Sequence, residues 1–118
     1  MPMKFLKNGK KNTDGKIYKI ILSPIFINEV EDIFFYISKK LHEHNTAKRL
    51  LNRISSKIQL LKIYPNMYAK LKDKHKLDKI HRKVTIGNYI MIYTVDEDKL
   101  QVNVSHIYYQ GENYLDKM

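Results

Sequence analysis

The chain has 118 residues and a mass of 14.1 kDa, which suits a single domain, because cores of this size rarely divide. Hydrophobic residues make up 43% and charged residues 29%, a globular balance that argues against wholesale disorder. There is no cysteine, which excludes disulfides and thiolate metal sites, and no apolar run approaches the ~18 residues that a membrane span needs. Charge begins at Lys4 and Lys7, too early for a secretory leader, so the expected location is the cytoplasm.

The formal net charge of +10 is unevenly spread. Six lysines against Asp14 give residues 1–19 a charge of +5, and seven bases against four acids give residues 20–66 +3. Seven bases against Asp73 and Asp78 give residues 67–83 another +5, whereas residues 84–118 carry −3, from Lys99 and Lys117 against five acids. Such a lopsided distribution points to a polyanionic partner, either nucleic acid or a strongly acidic protein.

Residues 1–16 hold little to bury and predict a flexible basic tail ahead of one domain over 17–118. Residues 17–22 are β-rich and read as a strand. Ser23 and Pro24 are the expected N-cap and first position of a helix. Phe26, Val30, Ile33, Phe34, Ile37 and Leu41 then recur at steps of three and four, predicting a helix over 24–41. After the break at 42–45, with Asn45 or Thr46 as cap, Ala47, Leu50, Leu51, Ile54, Ile58 and Leu61 form a second stripe, stopped by Tyr64 and Pro65. Two amphipathic helices so closely joined are expected to lie antiparallel and merge their stripes.

Residues 66–79 read as a lysine-rich loop. A strand is predicted over 80–86, with Ile80, Val84 and Ile86 on one face, followed by the turn dipeptide Gly87-Asn88. Residues 89–95 are apolar everywhere but Thr94, as in a central strand covered on both sides. After a turn at 96–99, Leu100, Val102 and Val104 alternate with Gln101, Asn103 and Ser105. The expected fold is α+β, in the order β-α-α-β-β-β, with an antiparallel sheet packed against an antiparallel two-helix hairpin.

The close pair His42 and His44 lacks a third ligand at convincing spacing, so no metal is expected. Phosphate loops and nucleophile elbows are absent, and no cofactor or small-molecule substrate is implied. The densest feature is the basic cluster Lys70, Lys72, Lys74, Lys76, Lys79, Arg82 and Lys83, flanked by Tyr64, Tyr68, Tyr89 and Tyr93. Cations hold phosphate and tyrosines stack on unpaired bases, so the cluster suits single-stranded nucleic acid; the alternative is a solvated lysine loop. Strand parity places His106 with Val102 and Val104, toward the helices, unless a bulge reverses the face. The same parity puts Tyr109 on the polar face with Gln101, Asn103 and Ser105.

The chain resembles the RelE/ParE superfamily of bacterial toxins over about residues 17–116. The resemblance rests on the run from Tyr18 to Pro24 opening a helix, Leu60-Leu61 followed by Tyr64-Pro65, and His81-Arg82-Lys83-Val84 ahead of the run from Ile86 to Val95. It also rests on a last strand ending in His106-Ile-Tyr-Tyr109. It implies a sheet carrying a helical hairpin, and a growth-inhibiting toxin neutralised by a small partner, a cognate acidic antitoxin. ParE-like members bind DNA gyrase; RelE-like members cut mRNA in the ribosome. The cutting chemistry needs a base for the 2′-hydroxyl, an acid for the leaving oxygen, and cations around the phosphate. Here the stretch from Tyr109 to Tyr114 has no arginine, the matching middle-strand position is Ile90, and the Arg-Arg-Asp run of many relatives is missing. A nuclease site would be drawn from Arg82 or Lys83 with His106 or Tyr114. These departures favour the gyrase-binding class, with Lys70, Lys72, Lys74, Lys76, Lys79, Arg82, Lys83 and Tyr109 as target-binding candidates. The alternatives are a ribosome-dependent endoribonuclease, an inactive relative, or an unrelated nucleic-acid-binding domain.

Overall fold

A computed structural model of the chain describes residues 15–71 and 79–111. Most of the predicted tail, residues 72–78 of the basic loop and everything from residue 112 onward lie outside them. Strand β1 (Lys19–Leu22) ends at Ser23, whose backbone is extended (ψ 152°) and whose hydroxyl accepts the Phe26 N–H at 2.9 Å. With Pro24 next, that cap starts α1 (Pro24–Phe35) as the sequence predicts. The predicted helix then widens: Tyr36–Lys40 forms one π-helical turn, in which the Leu41 N–H reaches the Tyr36 carbonyl at 3.1 Å. The extra residue moves Leu41 off the apolar stripe, so it is exposed, and turns Ser38 inward, 2.6 Å from His44 Nδ1. His42, with φ 55°, stops the helix in the left-handed region.

Helix α2 (His44–Leu61) starts ahead of the expected caps. Glu43 holds the cap position, and Thr46 Oγ1 donates to its carboxylate at 3.0 Å. Ala47, Leu50, Ile54 and Leu61 are buried, but Leu51 is 36% exposed. Successive residues on a helix point ~100° apart, so Leu50 and Leu51 cannot both face the sheet. The buried stripe is narrower than the sequence suggests.

Strands β2 (His81–Ile86), β3 (Tyr89–Asp96) and β4 (Gln101–Tyr109) complete the α+β order β-α-α-β-β-β. The sheet order is β1-β4-β3-β2, with β2, β3 and β4 antiparallel as predicted. β1 departs from the all-antiparallel expectation: it pairs parallel to β4, from Lys19↔Gln101 to Leu22↔Val104. Parallel neighbours need a long connection, and here both helices and two strands supply it. Ile80 falls outside β2 and is exposed; Leu100, with φ 53°, belongs to the turn before β4. Val84, Ile86, Met91, Tyr93, Val102, Val104 and Ile107 pack with Phe26, Ile37, Leu50 and Ile54 in one core. Ile90, Ile92 and Thr94 on the other face of β3 are also buried, as a central strand requires.

One irregularity reorders the last strand. Ile92 pairs with His106 and Tyr93 with Val104, which leaves Ser105 without a partner on β3. This bulge reverses the alternation beyond it. Below the sheet, the Tyr18 hydroxyl donates to Glu97, whose other oxygen accepts from Asn66 Nδ2 at 3.1 Å. The buried Tyr93 hydroxyl donates to the Pro65 carbonyl at 2.8 Å, and burial pushes that phenol up to about 12.

This packing sets two measurable outcomes. Leu61 is fully buried, so Leu61→Ala should cost ~2–5 kcal/mol in urea unfolding, whereas Leu51→Ala should stay within ~0.5–1 kcal/mol. Equal losses would place α2 in the wrong register. The hydrogen bond from Tyr18, then that from Asn66, holds the Glu97 carboxyl below its ordinary value of 4.5. Its contribution is therefore complete above that value and is lost as pH falls through the depressed one. Tyr18→Phe should raise the Glu97 titration midpoint read by carbon NMR and weaken the fall of stability across that acid window; an unmoved midpoint would dismiss the link.

Candidate functional site

The described members of the basic cluster, Lys70, Lys79, Arg82 and Lys83, lie on or beside β2, the outer strand of the sheet. The Leu71 N–H bonds the His81 carbonyl at 2.8 Å and the Lys83 N–H bonds Ala69 at 3.0 Å, so residues 69–71 add a short antiparallel piece to that edge. Lys70 and Lys79 are exposed there. Lys72, Lys74, Lys76 and Tyr114 lie outside the described residues. Arg82 is committed elsewhere: half-buried, its Nη1 donates to the Tyr68 carbonyl at 2.7 Å, pinning the chain after α2 to the sheet. Lys57 sits over the Tyr68 ring, 5.7 Å from its centre.

Among the described candidates, Arg82 and His106 do not converge. Arg82 shares its face with Tyr93 and Val104, under the helices; Lys83 shares the opposite face with Ile92 and His106. The bulge at Ser105 has carried His106 away from Val102 and Val104, the exception that strand parity allowed. The same reversal corrects Tyr109: it stands with Tyr89 and Ile107 on the helix side, not with Gln101 and Asn103. Lys83 and His106 are separated by the whole of β3, roughly 10 Å at the backbone for strands ~4.8 Å apart. His106 stacks on Tyr108 at 5.1 Å, and its Nδ1 lies 3.4 Å from Glu29 on α1. The other Glu29 oxygen accepts the Ile107 N–H at 2.9 Å.

His106 instead lines a groove of about 1370 Å³ that the sequence pattern does not reveal. α1 and the π-helical turn form one wall, α2 the second, and the end of the sheet closes it. Its floor includes Ile33, Ile37, Leu50 and Ile107. Tyr36, Tyr89 and Tyr109 gather at its rim: Tyr89 meets Tyr109 edge to face at 5.8 Å, and burial, then the nearby Tyr109 and Tyr36 phenols, raises the Tyr89 pKa. Arg49 and Arg53 stand on the α2 wall, the Arg53 guanidinium so close to Gly87 that a β-carbon there would meet it at 3.1 Å. One signal was legible. Only three of the 22 Lys and Arg residues are arginines, and two of them fall four positions apart on one helix.

Among the described residues, no cluster of three or more His, Asp or Glu side chains offers a metal site, and no helix is long and apolar enough to cross a membrane.

Arg82→Ala strands the Tyr68 carbonyl and should cost ~1–3 kcal/mol in thermal or urea melts. Lys70→Gln with Lys79→Gln should leave the melt unchanged and only flatten any salt dependence of nucleic-acid binding, by ~0.7 log units for each phosphate no longer neutralised. A melt unaffected by Arg82→Ala would free that residue for ligand contact.

No curated protein matches the chain in sequence. Among solved structures, the chromosomal ParDE toxin–antitoxin system of P. aeruginosa is similar, with a TM-score of 0.62 at 10% identity over 79% of this chain and 96% of that one. The archaeal RelE–RelB complex of Pyrococcus horikoshii OT3 gives 0.55 at 15% identity, covering 81% of this chain and 98% of that one. The RelBE2 toxin–antitoxin complex of Mycobacterium tuberculosis gives 0.59 at 10% identity, covering 87% of this chain and 100% of that one. At such identities the likeness establishes the fold. The family described as the ParE toxin of the type II toxin–antitoxin system parDE matches residues 20–114, most of the chain, and the chain belongs to that family.

Proposed function

We propose that the chain inhibits growth in the cytoplasm by binding DNA gyrase, as the toxin of a type II pair held in check by an acidic cognate antitoxin. Membership of the ParE toxin family supports the toxin reading, and the net charge of +10 suits an acidic partner. One observation carries the choice of a binding mechanism over cleavage: Arg82 and His106 lie on opposite faces of the sheet, and Arg82 is spent on the Tyr68 carbonyl. Phosphodiester cleavage requires acid, base and cation around one phosphate, and the described residues offer His106 no adjacent lysine or arginine on its own face. The second reading, ribosome-dependent mRNA cleavage, draws on Lys83 and His106 sharing a face.

Expressed alone, the chain should arrest growth, and co-expression of its antitoxin should restore it; normal growth with folded protein accumulating would remove the toxin reading. Purified protein should inhibit gyrase supercoiling while leaving mRNA on translating ribosomes intact. Codon-positioned cuts in that mRNA, with gyrase unaffected, would replace the gyrase reading by the nuclease one.

A further inference from the structure

We infer that the chain pairs with a second copy of itself through its helical hairpin, α1 of each copy lying over α2 of the other about a two-fold axis. The inference goes beyond the toxin reading and stands without it. Its first support is a second groove, of about 660 Å³, which runs between α1 and α2 from the end of β1 and shares no lining residue with the first. Val30 and Phe34 on α1 and Ile54 and Ile58 on α2 line it, and Glu31 is the one formal charge among its described lining residues. Its rim is apolar as well: Phe35 is 56% exposed and Ile27 42%, and Leu22 and Leu51 are also exposed. Apolar side chains gathered on one face of a surface otherwise rich in lysine mark a contact site. A polyanion finds no cation there to hold it.

The second support is how the two helices divide their charge. α1 carries Glu29, Glu31 and Asp32 and no Lys or Arg, or −3; α2 carries Lys48, Arg49, Arg53 and Lys57 and no acid, or +4. A two-fold axis in the plane of contact joins two such hairpins in one of two ways. With the axis across the helices, α1 meets α1 and α2 meets α2, acid on acid and base on base. With the axis along the helices, each α1 meets the α2 of the other copy, and opposite charges face one another twice. Charge selects the second arrangement, even on a molecule of net charge +10.

The third support is register and size. Glu31 lies ten residues before Leu41, and Ile54 lies ten after His44, so both stand equally far from the turn that joins the helices. An axis along the hairpin therefore sets Glu31 of one copy level with Ile54 and Ser55 of the other. Ser55 lines the groove and is small, exposed and uncharged, so it leaves the carboxylate room. At ~10 Å in width, helices of 12 and 18 residues present a flat footprint of about 450 Å². With its side-chain relief, that is of the same order as the roughly 800 Å² that each partner contributes to a standard interface.

The test is sedimentation equilibrium of the purified, nuclease-treated full chain from low to high micromolar concentration. The chain should form a reversible dimer that does not weaken as salt rises, because salt screens the repulsion between two basic molecules and leaves apolar contact intact. Ile27→Ser and Leu51→Ser, at exposed positions, should each weaken the dimer about tenfold or more while the protein still melts as a folded domain. Ser55→Lys should tighten it about threefold and Ser55→Glu weaken it by as much, opposite effects at one position that loss of fold cannot produce. Lys70→Gln with Lys79→Gln should leave it unchanged. A monomer at every concentration, as when residues 1–14 fill the groove instead, would overturn the inference. So would an association that dissolves as salt rises, which would make nucleic acid the bridge, or a dimer indifferent to Ile27→Ser and Leu51→Ser. The reverse order at Ser55, tighter with glutamate than with lysine, would place α2 against α2 and overturn it too.

Discussion

The architecture hinges on the meeting of Ser23 and Ser105. The Ser23 hydroxyl accepts the Phe26 N–H, which starts α1, and donates to the Ser105 carbonyl at 2.9 Å, which holds the bulge in β4. Its own N–H bonds the Val104 carbonyl at 3.0 Å and closes the parallel pairing of β1, while the Ser105 hydroxyl reaches the Ile92 carbonyl at 3.2 Å. A strand end, a helix start and a register change thus share one set of hydrogen bonds. Their combined value exceeds a single cap's ~1 kcal/mol, because each bond also fixes the direction in which a whole element leaves. What lies beyond the bulge follows: Ile107 joins the core, Tyr109 turns to the groove rim, and His106 leaves the core for Glu29.

The junction separates two surfaces with different electrostatics. Lysines dominate the β2 edge, where long flexible side chains in water attract anions with little geometric demand. Tyrosines rim the groove over an apolar floor, and its two arginines face three carboxylates, so planar groups there give shape and direction. Arg82 belongs to neither, since its guanidinium is consumed in tying the chain after α2 to the sheet.

Low identity to the solved relatives fits this division. Ten to fifteen per cent identity preserves a fold because a core needs volume and pattern rather than particular residues. Mechanism rests on a few side chains whose placement changes with one bulge, so the shared architecture leaves the cellular target to be decided by the site itself.

Much of the architecture was legible in the chain because it depends on local rules. Ser23-Pro24 marks a helix start, Gly87-Asn88 marks a tight turn, and the unbroken apolar run of β3 marks a strand covered on both faces. The element order followed; that β2, with Lys83, is an edge strand came only from the strand order of the sheet. Leu51 was misplaced because a stripe at steps of three and four does not say how wide the buried arc is; the neighbouring elements decide that. The parallel edge of β1, the split of Arg82 from His106 and the groove itself were decided only in three dimensions. Each depends on which distant strands pair and where one extra residue is inserted, and nothing within a strand's own alternation records a bulge imposed by a hydroxyl more than eighty residues away.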